Sequence, residues 1–143
     1  MPENCQQIRF CLNFAIVNAK ICKRIDSHLS IHGISFTEFM VLFHLNAAPD
    51  SKLKRIDLAE RLALSASGIT RLIAPMEKIG LIRKEANKRD ARVSLVKISA
   101  AGRRVLDDTV ETFDQVAATI LEDIEDSDLN KMLALLKQLG GTI

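Results

Sequence analysis

Residues 65–98, SASGITRLIAPMEKIGLIRKEANKRDARVSLVKI, decide the fold. The first half predicts a short amphipathic helix, because Ile69, Leu72, Ile73 and Met76 recur at the three- and four-residue spacing of one buried helix face. Ser67, Thr70, Arg71, Ala74 and Lys78 fall on the opposite side. A face of small polar side chains with one arginine suits a nucleic-acid groove, since bulkier groups would hold the helix away from the base edges. Ser65 stands at the N-cap position, and Gly80 stands where a helix commonly ends. Pro75 removes one backbone donor and predicts a bend or tightening inside the helix. Beyond Gly80, residues 81–86 and 92–98 predict two strands around a turn tip at 87–91. Arg83, Lys84, Lys88, Arg89 and Arg92 outnumber Glu85 and Asp90 there, making a basic finger suited to phosphates or a minor groove.

Upstream, Leu58, Ala59 and Leu62 mark the inner face of a short helix over residues 55–62, separated from the first by only Ala63-Leu64-Ser65. Two helices joined so tightly form a helix-turn-helix whose second helix enters the groove. Glycine is common in such turns. If Ala63 takes a left-handed backbone in its place, the cost is roughly 1 kcal/mol.

The flanks read as helices. Residues 4–29 carry one apolar stripe, Ile8, Leu12, Ala15, Ile16, Ala19, Cys22, Ile25 and Leu29, that breaks at His32-Gly33. A second helix starts at Ser35, where S-F-T-E supplies a capping box, and Phe36, Phe39, Met40 and Phe43 are its expected buried face. Ala48-Pro49-Asp50-Ser51 is a turn. After the finger, Ser99 caps a long helix with Gly102 in its first turn, and Leu106, Val110, Phe113, Ala117, Ile120 and Ile124 form an expected heptad seam. A last helix over residues 127–139 contributes Leu129, Met132, Leu133, Leu136 and Leu139.

The chain has 143 residues, 48% apolar and 27% charged, which fits one folded domain and excludes a disordered chain. No apolar run approaches a membrane span and MPENCQQIRF lacks a signal-peptide pattern, so the expected location is cytoplasmic, away from membranes. The net charge of +2 conceals a strong asymmetry. Residues 1–51 carry four basic and four acidic side chains, residues 52–104 fourteen basic and five acidic, and residues 105–143 two basic and nine acidic. A basic middle attached to an acidic end suggests a polyanion-binding segment joined to a segment with another task.

These residues together resemble the MarR family of winged helix-turn-helix transcriptional regulators, over nearly the whole chain. The resemblance is carried by LAERLALSASGITRLIAPMEKIGLIRK, residues 58–84, and by KRDARVSLVKISAAG, residues 88–102. The second is the more specific. It holds an Asp-x-Arg at Asp90 and Arg92 and a Leu-Thr-x-x-Gly-like start to a long helix at Ile98-Ser99-Ala100-Ala101-Gly102. The resemblance implies a mainly α fold: a winged helix-turn-helix with a small β-hairpin wing and long N- and C-terminal dimerisation helices. It divides a single domain over 1–143 into a DNA-binding part at 35–100 and helical parts at 1–32 and 101–143. It implies a ligand-responsive repressor acting as a homodimer on a pseudo-palindromic operator, with a small aromatic or phenolic effector. By this likeness Ser65, Ser67, Thr70, Arg71, Lys88, Arg89, Asp90 and Arg92 are the DNA-binding set. Arg92 would reach the minor groove or its edge, and Asp90 would orient neighbouring basic side chains. The alternative is a winged-helix protein-protein interaction module without specific DNA binding.

No glycine-rich phosphate loop, nucleophile motif or metal-ligand spacing points to an enzyme, and no cofactor or metal is implied. His28 and His32 are four apart but straddle an expected helix end. Cys11 and Cys22 would lie roughly 16 Å apart along a straight helix, too far to bond each other, so any disulfide would join two chains. The hydroperoxide-sensing branch of the family pairs its cysteine with tyrosines, and this chain has none. The cysteines Cys5, Cys11 and Cys22 therefore read as buried structural thiols.

Overall fold

The computed structural model describes residues 5–143, so the expected helix start at Asn4 lies outside the described residues. Helix α1 (Gln6–Leu29) is unbroken and leads through a 3-10 turn, Ser30–His32, to Gly33 at φ 77°. That left-handed backbone is where glycine carries no steric penalty. Helix α2 (Phe36–Ala47) opens with the expected capping box. The Ser35 hydroxyl accepts from the Glu38 amide at 3.1 Å, and the Glu38 carboxylate accepts from the Ser35 amide at 3.0 Å. Two donors that a helix start leaves free are thereby satisfied.

The turn after α2 holds Asp50 and Ser51 at φ 55° and 56° and delivers the chain into strand β1 (Lys52–Lys54), which the sequence reading did not anticipate. Helices α3 (Arg55–Arg61) and α4 (Ala66–Lys78), strands β2 (Ile82–Ala86) and β3 (Ser94–Ile98), and helices α5 (Ala100–Ile120) and α6 (Asp126–Gln138) follow. Helix α4 continues past Pro75 to Lys78. The three strands form an antiparallel sheet in the order β1-β3-β2, with Leu53 opposite Val96 and Ile82 opposite Ile98. Those four side chains are buried and join Leu42, Leu45, Leu58, Ile69, Ile73 and Met76 in one core. Removing this apolar surface from water drives the wing base, the helix-turn-helix and α2 together.

Helix α5 crosses this core, with Phe113 stacked on Phe39 at 4.7 Å. Its buried face differs in phase from the expected seam. Leu106, Thr109 and Val116 are buried with Phe113 and Ile120 packed alongside, whereas Val110 is 47% exposed and Ile124 lies beyond the helix end. Thr109 can sit inside because its hydroxyl is satisfied by the carbonyls of Val105 and Leu106, at 2.7 and 2.9 Å. What remains is a β-branched apolar side chain. Phe43 likewise departs from expectation, since it is exposed while Phe39 is buried.

The first turn of α5 is locked to the wing base. Ser99 donates its amide to the Leu81 carbonyl at 3.1 Å and its hydroxyl to the Gly80 carbonyl at 2.6 Å, while its oxygen caps the Gly102 amide at 3.0 Å. A Cβ on Gly102 would lie 2.1 Å from the Leu81 oxygen, a backbone atom that cannot swing aside. Only glycine lets helix and strand approach so closely.

The chain ends differ from this interior. In α1 only Ile25 and Leu29 are buried, and Ile8, Phe10, Leu12, Phe14, Ile16 and Val17 are exposed. Helix α6 has no buried residue, and Met132, Leu133, Leu135, Leu136 and Leu139 are exposed. The expected stripe of α1 is therefore covered within the chain only at its last turns. The cysteines are not buried either: Cys11 is exposed, and Cys5 and Cys22 are half-buried. Among the described residues, no helix is long and apolar enough to cross a membrane.

Candidate nucleic-acid interface

The turn between α3 and α4 is built on Ala63, whose φ of 52° is the left-handed backbone anticipated at this position. The Ala63 amide donates to the Glu60 carbonyl at 3.0 Å and the Leu64 amide to the Ala59 carbonyl at 2.9 Å. This pair of bonds closes a Schellman motif around a residue that is usually glycine. Leu64 then packs on the core, and the chain can start α4 immediately. At the other end of α4, Gly80 at φ 83° repeats the motif, with bonds from Gly80 to Glu77 and from Leu81 to Met76, both 3.0 Å.

Ile69, Ile73 and Met76 of α4 are buried, which leaves Ser67, Thr70, Arg71, Ala74 and Lys78 exposed on the opposite side. The sequence-derived residues on this face do not all play one role. Ser65 is the cap: its hydroxyl accepts from the Gly68 amide at 3.0 Å and lies 3.2 Å from the Ser67 hydroxyl. Thr70 bonds to the Ala66 carbonyl at 2.9 Å and to an Arg55 guanidinium nitrogen at 3.1 Å. Arg71 pairs with no acidic side chain among the described residues, so its donors stay available.

The wing tip is shaped by two short side chains acting on the backbone. Asn87 accepts from the Arg89 amide and Asp90 from the Arg92 amide, each at 3.0 Å, and the Val93 amide donates to the Asp90 carbonyl at 3.1 Å. Asp90 thus sets the main chain beneath Arg92, and no basic side chain pairs with it among the described residues. Lys88, Arg89 and Arg92 are exposed and free of ion pairs within the same limits.

Lower on the wing the charge is used internally. Lys84 meets Glu77 of α4 at 3.5 Å, and Lys52 meets Glu85 at 3.3 Å across the sheet. Lys52, Lys97 and Arg83 occupy one cross-strand row. Together they hold the Glu85 carboxyl below its ordinary range, chiefly through the Lys52 ammonium beside it. The basic finger is therefore unpaired at its tip and partly compensated at its root.

Between wing and helix-turn-helix lies a shallow cleft of about 200 Å³ lined by Lys54, Arg55, Ile56, Arg92, Val93 and Ser94. It brings the wing arginine beside the start of α3. Arg55 also rims a larger groove of about 500 Å³ between α3 and α4, with Ala59, Leu64, Ala66 and Ile69. Sequence reasoning passed over Arg55; its place in the first turn of a helix directly before the recognition segment was the available signal. Elsewhere, His44 is buried, and its pKa is lowered first by that burial and second by the Arg61 charge. His28 bonds to the Arg24 carbonyl and His32 to the Thr112 hydroxyl, each at 2.8 Å. No cluster of three metal-ligating side chains occurs among the described residues.

Residues 32–93 match the model of the MarR family. The chain is 24% identical over 115 residues to the HTH-type transcriptional regulator MhqR of Bacillus subtilis, covering 80% of this chain and 78% of the relative. Its fold superposes on that of a MarR-family transcriptional regulator from a Rhodococcus species with a TM-score of 0.87 at 20% identity, covering 96% of each chain. A mutant MarR from E. coli, crystallised with operator DNA, gives a TM-score of 0.85 at 19% identity over 94% of this chain and 96% of that one.

Proposed function

We propose that this chain, whose residues 32–93 match the MarR family model, is a MarR-family, sequence-specific, double-stranded DNA-binding transcriptional regulator working in the cytoplasm. One observation carries this reading: an exposed polar face on α4 with an unpaired Arg71, joined through one hydrophobic core to the strands that carry a wing tip of unpaired Lys88, Arg89 and Arg92. Ser67, Thr70 and Arg71 face base edges in the major groove, while the wing cations hold phosphates or a minor groove. Ser65 and Asp90 act through the backbone, fixing the helix start and the wing tip.

The exposed apolar faces of α1 and α6 support a homodimer. Helical surface that is apolar on several sides is stable only when covered, and a two-fold partner covers it with an identical surface. Two recognition helices then meet two half-sites of a pseudo-palindromic operator, about 34 to 36 Å apart. As a ligand-responsive repressor, the dimer occludes a promoter until a small aromatic or phenolic effector alters the spacing of its winged parts.

A salt titration of DNA binding tests the reading. The binding constant for duplex DNA falls linearly in a log-log plot, losing roughly 1,000-fold or more between about 50 and 200 mM salt for six or more phosphate contacts. A flat salt response, or binding of proteins only, would favour an interaction module.

A further inference from the structure

The Arg55–Thr70 contact joins the two helices of the helix-turn-helix on the surface where DNA is expected, and its donor and acceptor count restricts what each residue can do. A threonine hydroxyl has one hydrogen and two lone pairs. In this structure the Thr70 hydrogen goes to the Ala66 carbonyl at 2.9 Å, and one lone pair accepts from Arg55 Nη1 at 3.1 Å. Thr70 is left with one acceptor position and its methyl group. Arg55 uses one of five N–H donors on Thr70 and pairs with no carboxylate among the described residues. Its charge is therefore uncompensated.

Placement says what that charge is for. A cation in the first turn of a helix opposes the backbone dipole, so Arg55 does not stabilise α3. Helix α3 is the first helix of the pair, the one that crosses the nucleic-acid backbone when its partner lies in the groove. Arg55 lines the same cleft as Arg92 of the wing, between the two elements that flank the groove. A planar guanidinium fixed at one nitrogen presents its remaining donors in a preset direction, a geometry suited to phosphate oxygens.

We infer that Arg55 is a DNA-phosphate ligand at the junction of recognition helix and wing, and that Thr70 is the residue that holds it in its binding orientation. This inference rests on the DNA-binding reading above. It changes the assignment of Thr70 from a side chain that reads base edges to a positioning residue that meets DNA only through an acceptor or its methyl group.

The test is a double-mutant cycle on the full chain, using Arg55→Gln, Thr70→Val and the double variant, with Arg55→Lys as the charge-preserving control. Affinity is measured for the preferred duplex and for a random duplex across a salt series, and thermal melting checks that each variant is folded. Arg55→Gln should weaken both duplexes by a similar factor, about tenfold, and reduce the salt slope by about one. Arg55→Lys should keep the slope while losing part of the affinity. Thr70→Val should weaken binding several-fold in the presence of Arg55 and leave it unchanged in the Arg55→Gln background. Unchanged affinity and slope in Arg55→Gln would overturn the inference. So would a changed base preference at constant slope, which would make Arg55 a base reader, or independent effects of the two substitutions. A wild-type chain that binds no duplex at any salt would overturn the underlying reading; binding by the wild type with a silent Arg55→Gln would overturn this inference alone.

Discussion

The middle of this molecule is finished within one chain, and its ends are not. From Ser35 to the first turns of α5, helices α2, α4 and α5 start on serine side-chain caps, and the apolar faces of α2, α4 and the sheet close on one another. In the first half of α1 and along α6, large apolar side chains face outward with nothing over them. Both regions contain helices with large apolar side chains, so the difference lies in where the partner surface comes from. The winged part finds it in its own sequence, and we attribute that of the ends to a second copy. Net charge separates the middle from the C-terminal end, basic over residues 52–104 and acidic over residues 105–143, so that a phosphate backbone would be drawn to the first and repelled by the second.

Charging the ends separates the two regions most sharply. In the double variant Leu12→Asp, Leu136→Asp, both side chains are already exposed within the chain, so the winged core should keep its melting behaviour. The dimer should dissociate at micromolar concentration, and operator affinity should fall by roughly 100- to 10,000-fold as the second site is lost. Light scattering that still reports a dimer would remove the assignment of these faces. The opposite experiment breaks the complete part. Gly102→Ala places a methyl group against the Leu81 carbonyl and should cost about 3 kcal/mol, the upper range for overpacking. For a chain of this size that is a fall of roughly 10 °C in melting temperature. An unchanged melting temperature would show that α5 can move off the wing base, contradicting the tight junction described here.

The comparison also explains which features were legible in the sequence. Caps and stops were readable because they depend on neighbours within a few residues: Ser35 with Glu38, Ser65, Ser99, Gly80 and the left-handed Ala63 stand where local chemistry requires them. The buried stripe of α4 was readable because its spacing holds over two turns, from Ile69 to Met76. Strand β1 was not, since three residues, Lys-Leu-Lys, are too short to show alternation and are held by β3, more than forty residues away. The phase of α5 was misread because Thr109 counts as polar until its hydroxyl is spent on its own helix, while Val110 counts as core and lies outside. On the candidate interface, the exposure of Arg71 and the wing cations followed from periodicity and charge. Arg55 did not, because its significance rests on a contact with Thr70 across the turn, and the pairing of Lys84 with Glu77 was hidden for the same reason.

The measurement that tests the account most directly is selection of bound sequences from random duplex DNA by the full chain. Two complete winged parts joined through incomplete ends should enrich a pseudo-palindrome whose half-sites lie about one helical turn apart, roughly 34 to 36 Å. Enrichment of a single unrepeated half-site would contradict the pairing, and no enrichment at all would contradict sequence-specific recognition by α4 and the wing.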